Sequence, residues 1–506
     1  MRTLQLSLFA AVLGLPLAVM PASSVNPLPH LGDSGDMSLS AERRLGDRIA
    51  REIYRDPDYI DDALLAEYVQ GIWQPLLAAA RLRGDISPEM DERLAWEVLL
   101  VRDRSVNAFA LPGGYMGVHL GMIGIVTSRD ELASVLGHEL SHITQRHISR
   151  VAAKDSQQTP WLMGAMILGA LAASKSPDAA SALLTGGQAL AIQNQLNFSR
   201  DMEREADRNG FGVMTQAGFA PEAFASMFEK LQQSTRLSDS GAFPYLRTHP
   251  LTTERIGDVQ SRLPKGAAGA VLAPPPLTPL HAMMAARARV LANPSSEALR
   301  LGQGEANAMG FEAWDPAKKV SALTSAILCS IRLREFKQAD LLLVRLQVLT
   351  RGDAATARLT RLMSAELALA QEDATLALTL LGEATPTQRP ELLLLAQAQV
   401  QTGHANLAAQ ELQTWVITHP KDASARMVLS SAYTALGQTV GAIRAEAEAQ
   451  VAQLDYPGAL ARFKAAQARI KGDGGARSAS DHIEASIIDT RTREVELLVR
   501  EQVPER

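Results

Sequence analysis

Residues 138–142 read His-Glu-Leu-Ser-His, preceded by Leu132-Ala133-Ser134-Val135-Leu136-Gly137 and followed by Ile143. At ~100° per residue, Leu132, Leu136, Leu140 and Ile143 gather on one side of a helix, and His138 and His142 gather on the other. The spacing predicts a helix with one face in a core and the opposite face free to line a cleft. The histidines stand ~40° apart around the axis, so both imidazoles point one way and can share a metal ion. Glu139 lies ~100° further round, where it reaches a water at that metal without being a ligand. His147, ~180° from His138, falls on the apolar side and reads as structural or solvent-facing.

A catalytic zinc wants three protein ligands. One common source is a histidine ten residues after the first, following a glycine; here that position is Ile148, and Gln145 stands in the glycine's place. The chain has one cysteine, Cys329, which excludes an internal disulfide and every cysteine-based zinc motif. The best further donor lies in Ser199-Arg200-Asp201-Met202-Glu203-Arg204-Glu205-Ala206-Asp207. Glu203 and Asp207 share a helical face; the first can ligate zinc and the second can fix a ligand histidine through its other ring nitrogen.

His-Glu-Leu-Ser-His followed by Glu203-Arg204-Glu205-Ala206-Asp207 resembles the M48 family of zinc metallopeptidases. The resemblance continues at Arg247-Thr248-His249-Pro250 with Arg255 downstream, and at Asn107-Ala108-Phe109-Ala110 before the Pro112-Gly113-Gly114 turn. It covers roughly residues 38–260. It implies an α-rich zincin-type (gluzincin) domain with a small β-sheet, and one Zn²⁺ per chain on His138, His142 and Glu203. Glu139 would take a proton from the attacking water and pass it to the departing amine. His249 or Arg255 would donate a hydrogen bond to the oxyanion; alternatively, His249 would take the open coordination position and hold the enzyme idle. Asn107 and Ala108 would pair with the substrate backbone by strand addition, favouring extended or unfolded segments. One departure stands out: the resemblance implies a cysteine pair in the C-terminal half, and Cys329 alone cannot supply it.

The remaining organisation follows from composition. At 506 residues, 46% hydrophobic and 21% charged, the chain has room for two to four domains and is neither wholly disordered nor polytopic. A net charge of −5 argues against nucleic acid as a partner. Met1-Arg2, an apolar run from Leu4 to about Met20, and Pro21-Ala22-Ser23-Ser24 have the layout of a signal peptide over residues 1–22. The run is shorter than the ~20 residues of a spanning helix and contains Gly14 and Pro16, which weighs against a membrane anchor. No cysteine follows, so a lipoprotein is excluded and the expected compartment is the periplasm.

Residues 23–37 read as a lead-in, and residues 38–264 as the metallopeptidase domain, with strands expected between Ala95 and Ile125. Residues 265–280 carry three consecutive prolines and read as a linker. Beyond it the composition is helical and repeats. Ala398/Ala432, Gly403/Gly437, Ala408/Ala442 and Pro386/Pro420 are each 34 residues apart, the period of tetratricopeptide helix hairpins. An alanine-rich bundle is the plainer alternative for residues 281–470, but four coincident intervals favour an α-solenoid that presents a face to partners. Residues 471–506 form a charged tail able to make a capping or solvated helix. Between the metal motifs, Trp161–Ala173 and Ala179–Ser199 are free of charge, which suits a cover over the cleft or a peripheral membrane contact, with Gly164, Gly169, Gly186 and Gly187 allowing movement.

Together these readings, with the resemblance, predict an exported zinc endopeptidase. It would degrade misfolded or stalled envelope proteins and assist outer-membrane protein assembly, its repeats recruiting clients or the assembly machinery. The alternative is a chaperone or scaffold of envelope assembly with latent protease activity.

Overall fold

The computed structural model describes residues 37–154, 199–237, 243–264, 276–382, 386–472 and 479–502. The expected signal peptide, the uncharged stretch at 161–198 and linker residues 265–275 lie outside them. The fold is mainly α. Helix α1 (Leu39–Arg55) begins where Ser38 accepts from the Ala41 amide, and α2 (Ala63–Arg83) where Asp62 accepts from the Leu65 amide. Both are N-caps that satisfy amides left over at a helix start. After the short α3 (Pro88–Arg93), three strands follow: β1 (Glu97–Val101), β2 (Ala108–Leu111) and β3 (Tyr115–His119). The Pro-Gly-Gly turn joins β2 to β3 as an antiparallel pair, while β1 lies parallel to β3, giving the order β1-β3-β2 with β2 on the edge.

Helix α4 (Leu120–Ile125) leads into α5 (Arg129–Thr144), which carries both histidines, and α6 (His147–Lys154). The chain is next described at α7 (Arg200–Gln216), α8 (Glu222–Leu237), α9 (Tyr245–Thr248) and α10 (Thr253–Arg262). Helix α7 crosses α5, and β2 lies beside α5, so strand edge and metal motifs meet at one place.

The C-terminal half begins with α11 (Pro279–Ala292) and α12 (Ser296–Gly304). Five helix hairpins follow among the described residues: α13 (Pro316–Arg332) with α14 (Phe336–Thr350), α15 (Ala354–Ala370) with α16 (Ala374–Leu381), α17 (Arg389–Gln401) with α18 (Ala405–Thr418), α19 (Ala423–Ala435) with α20 (Thr439–Ala452), and α21 (Tyr456–Gly472) with α22 (Ala479–Gln502). The periodic alanines pack as small residues must where helices approach closely: Ala398, Ala408 and Ala432 are fully buried and Ala442 nearly so, as are Ala339 and Ala377 in the two hairpins before them. The turns within the first four hairpins pass through a left-handed residue, at Arg334, Glu372, Gly403 and Gly437. Glycine takes that conformation without strain, which makes the last two turns conspicuous in the sequence and hides the first two. Helix α22 buries Ile488 and Val495 against α21.

The two halves share a core. Helix α11 packs on α4 and α13 and buries Ala282, Met283, Met284 and Ala286, and one apolar cluster runs without a break from Leu64 to Leu367. Three arginines fasten the halves together. Arg287 grips Asp62 (2.7 and 2.8 Å) and Glu366 (2.7 and 2.8 Å). Arg358 holds Glu67 and Glu391, and Arg389 holds Asp61 and Asp422, each through a guanidinium fork. In every case one carboxylate comes from the start of α2 or the residues before it, and the other from the hairpins. The far end of the solenoid returns to α1, where Arg55 meets Asp455 at 2.5 Å and Leu454 joins the core under Leu45 and Ile49.

Candidate metal centre

Helix α5 starts at a Ser128 cap and is buried on both faces from Glu131 to Thr144. The leucine face lies in the main core as expected. The histidine face, expected to line an open cleft, is instead covered by α7 and by the segment Tyr245–His249: His138 and His142 are 2% and 0% exposed, and Glu139 is 0%. The covering helix brings in Glu203, also buried, which no spacing argument within α5 could place.

Ligand-type atoms of His138, His142, Glu203 and His249 lie within 4.8 Å of one another. His138 Nε2 is 3.0 Å from His142 Nε2, 3.5 Å from Glu203 Oε2 and 3.3 Å from His249 Nδ1. Glu203 Oε1 is 3.4 Å from His142 Nε2 and 3.0 Å from His249 Nδ1. With Zn–N near 2.0–2.1 Å, the edge of a tetrahedron of donors is about 3.3 Å. These separations, taken to whichever Glu203 oxygen is nearer, lie around that edge, and three imidazoles with one carboxylate are a donor set zinc accepts. The residues therefore fit the ion. Of the two roles open to His249, its placement matches the fourth corner of this group; its Nε2 also stands 3.4 Å from Glu139 Oε1.

Around the donors sits a second ring of charge. His138 Nδ1 faces Asp207 Oδ1 at 2.9 Å. Arg255 grips Asp207 through Nε (2.7 Å) and Nη2 (2.8 Å), and its Nη1 reaches Glu203 Oε2 (2.8 Å) and the Pro250 carbonyl (2.9 Å). Every nitrogen of this guanidinium is thereby engaged by Asp207, Glu203 and the Pro250 carbonyl, which leaves none turned toward an oxyanion position as the sequence reading expected. Burial works against charge on His138, but Asp207 and Glu203 outweigh it and hold its pKa up at about 9. Glu203 is also desolvated, yet His249 and His138 keep it well below the usual carboxylate range. Glu139 differs: burial raises its pKa, partly offset by His249 and His138, so its carboxyl holds a proton more readily than a surface glutamate. Two buried glutamates are thus driven apart, one to stay anionic and one to exchange protons.

Two glycines decide whether the motifs can meet. A Cβ on Gly210 of α7 would stand 2.9 Å from the Gly137 carbonyl and the His138 nitrogen. Helices α5 and α7 cross backbone to backbone here, which sets Glu203 and Asp207 on the histidine side. Neither glycine belongs to a motif singled out in the sequence, although both interrupt otherwise good helical stretches, and that was their one signal.

The His147 reading needs correction on exposure: the ring is fully buried. Arg146 adopts φ 51°, which ends α5 and restarts the chain as α6, so angles extrapolated along one continuous helix do not apply to residue 147. The substrate-strand reading divides. The Asn107 carbonyl accepts from the His119 amide at 3.0 Å, so this residue pairs inward with β3. By antiparallel alternation the outward backbone groups are those of Ala108 and Ala110. The Ala110 amide already donates to Glu139 Oε2 at 2.9 Å. Ala108 is fully buried, and the Tyr245 amide donates to the neighbouring Val106 carbonyl at 3.3 Å. The segment that carries His249 thus lies against the edge expected to receive substrate.

Residues 66–263 match Peptidase family M48. The Putative beta-barrel assembly-enhancing protease of Vibrio cholerae is 33% identical over 248 residues, 48% of this chain and 49% of that protein. The Beta-barrel assembly-enhancing protease of Escherichia coli K12 is 33% identical over 264 residues, 52% of each chain. In both, the match spans about half the relative's length. The Beta-barrel assembly-enhancing protease of Yersinia pestis is 27% identical over 461 residues, covering 90% of this chain and 89% of that one.

Proposed function

With an M48 peptidase domain at residues 66–263 as premise, we propose that this chain is a zinc-dependent endopeptidase of the periplasm. It acts on misfolded or stalled envelope proteins and assists outer-membrane protein assembly. The observation that carries the reading is the juxtaposition, in one buried place, of a zinc-type donor set with the Glu139 carboxylate, 3.4 Å from His249 Nε2. The relatives' names support the assembly role. The solenoid, read as tetratricopeptide-like, is suited to recruiting clients or partners, because stacked hairpins present a long continuous face.

His138, His142 and Glu203 would hold the ion, whose chemistry is Lewis-acid polarisation of a scissile carbonyl and of water. The protein's own contribution is then proton handling and order. Glu139, steadied by the Ala110 amide, takes the proton that the attacking water must lose and returns it to the amine nitrogen as the C–N bond breaks. Asp207 and Arg255 keep His138 and Glu203 aimed. The outward edge of β2, at the Ala108 amide and carbonyl and the Ala110 carbonyl, offers an extended peptide its backbone groups once the Tyr245–His249 segment withdraws. That same segment favours the second reading, a chaperone or scaffold with latent protease activity, since His249 stands among the ligands and the edge is covered.

The test is zinc content together with casein cleavage by the mature chain and its Glu139→Gln variant. One zinc in each, with cleavage by the wild type alone, is the expected result. Zinc in both with cleavage in neither selects the latent reading, and zinc in neither refutes the metal centre.

A further inference from the structure

His138 and His142 are treated alike in the metal group, yet their outer nitrogens meet different partners. His138 Nδ1 faces the carboxylate of Asp207. His142 Nδ1 faces His147 Nδ1 at 2.9 Å, and His147 Nε2 faces Glu205 Oε2 at 3.1 Å. Glu205 in turn accepts from Arg150 Nη1 at 2.9 Å. His147 is fully buried, whereas the Glu205 side chain is 30% exposed.

From this row of groups we infer that His147 is a positioning residue for the metal, fixing the tautomer and ring plane of His142 and handing its charge demand to Glu205. The inference rests on the zinc reading above. The direction of every proton follows from that ligation. A ring that ligates through Nε2 must carry its proton on Nδ1, so His142 Nδ1–H donates to His147 Nδ1. His147 then has its proton on Nε2, which donates to the Glu205 carboxylate. Arg150 completes the row by keeping Glu205 anionic. The contact between the two ring nitrogens, ambiguous in isolation, thus has one consistent assignment.

The arrangement parallels the other side of the site. There one carboxylate of α7, Asp207, touches the ligand directly and is held by Arg255. Here another carboxylate of the same helix, Glu205, acts across an intervening imidazole and is held by Arg150. Such outer partners orient ligands and raise their basicity, and their loss commonly weakens metal binding by about 10–100-fold. The break at Arg146 is what makes it possible: a helix continuing past Thr144 would carry residue 147 away from His142.

The experiment is competition for zinc between the mature full-length chain and a chromophoric chelator, with the Co²⁺-substituted d–d spectrum as a second readout. The variants are His147→Ala, His147→Asn and Glu205→Gln. The amide oxygen of asparagine can stand near the imidazole Nδ1 and accept from His142, so affinity should fall about 10–100-fold in His147→Ala and largely recover in His147→Asn. The Co²⁺ band should shift in His147→Ala. Unchanged affinity in His147→Ala, or equal loss in Ala and Asn variants, would overturn the inference. Should His147→Ala fail to fold, Glu205→Gln, altered at a partly exposed site, carries the test: a weakened zinc site supports the row, and an unchanged one refutes it. A wild type that binds no zinc would instead refute the metal centre itself.

Discussion

Replacing Asp62 by asparagine probes how the two halves are held together. Asp62 has two duties. Its carboxylate accepts from the Leu65 amide at the start of α2, and both its oxygens take Nε and Nη2 of Arg287. Arg287 is 8% exposed and the Asp62 side chain 9%. Breaking a buried ion pair from one side typically costs 3–5 kcal/mol, because the remaining charge is stranded. Arg287 would keep Glu366, so the expected loss is smaller, about 2–3 kcal/mol. Asparagine is as good an N-cap as aspartate, so the cap should survive. Asp62→Ala loses both functions and should cost about 1 kcal/mol more. Urea unfolding of zinc-loaded protein, followed by circular dichroism, measures both differences. A cycle with Arg287→Met should give a coupling of at least about 1.5 kcal/mol, whereas exposed pairs rarely exceed 1. If Asp62→Asn costs under about 0.5 kcal/mol, Arg287 reaches water on losing its partner, and the arginine row is surface decoration.

Gly210→Ala should destabilise by about 1–3 kcal/mol through overpacking against Gly137 and His138, and should weaken zinc binding as α7 moves off α5; a melting curve and a chelator titration check the two effects. Acid should act on the same junction. Arg287 for Asp62, and Arg389 for Asp422, overcome burial and hold these carboxyls below their ordinary values, so their stabilisation is present above the unfolded pKa near 4 and is lost as pH falls through the folded values. A steep drop in melting temperature below about pH 4, shallower in Asp62→Asn, is expected from scanning calorimetry. A chain ending at residue 264 lacks α11, whose Met283 and Met284 are buried beside α4. Uncovering such side chains costs about 1.5–3 kcal/mol each, so that fragment should bind a hydrophobic dye and unfold without a sharp transition; a cooperative melt with zinc retained would show that the first half folds alone.

Local rules were enough wherever a feature depends on residues close together in the chain. The four-residue spacing of His138 and His142 puts both on one side of any helix, and Glu203 with Asp207 does the same on α7. The Pro112–Gly114 turn and the 34-residue alanine intervals likewise foretold a hairpin of strands and a run of helix pairs. Residues that succeed only through distant neighbours were not legible in this way. Arg255 could be read as an oxyanion donor until the fold surrounded it with Asp207, Glu203 and the Pro250 carbonyl. His147 looked unrelated to the metal because a single left-handed residue, Arg146, breaks the helical register that sequence arithmetic assumes. Gly137 and Gly210 gain their meaning only from each other. The proline-rich stretch read as a linker between two domains, yet Arg287, Arg358 and Arg389 find acids on both sides of it. Periodicity reports what faces the same way along one helix, and it carries no information about which surface arrives from elsewhere to meet that face. The candidate metal-binding side chains were therefore legible in the sequence, while their burial, their backing charges and the union of the two halves come from packing across long stretches of chain.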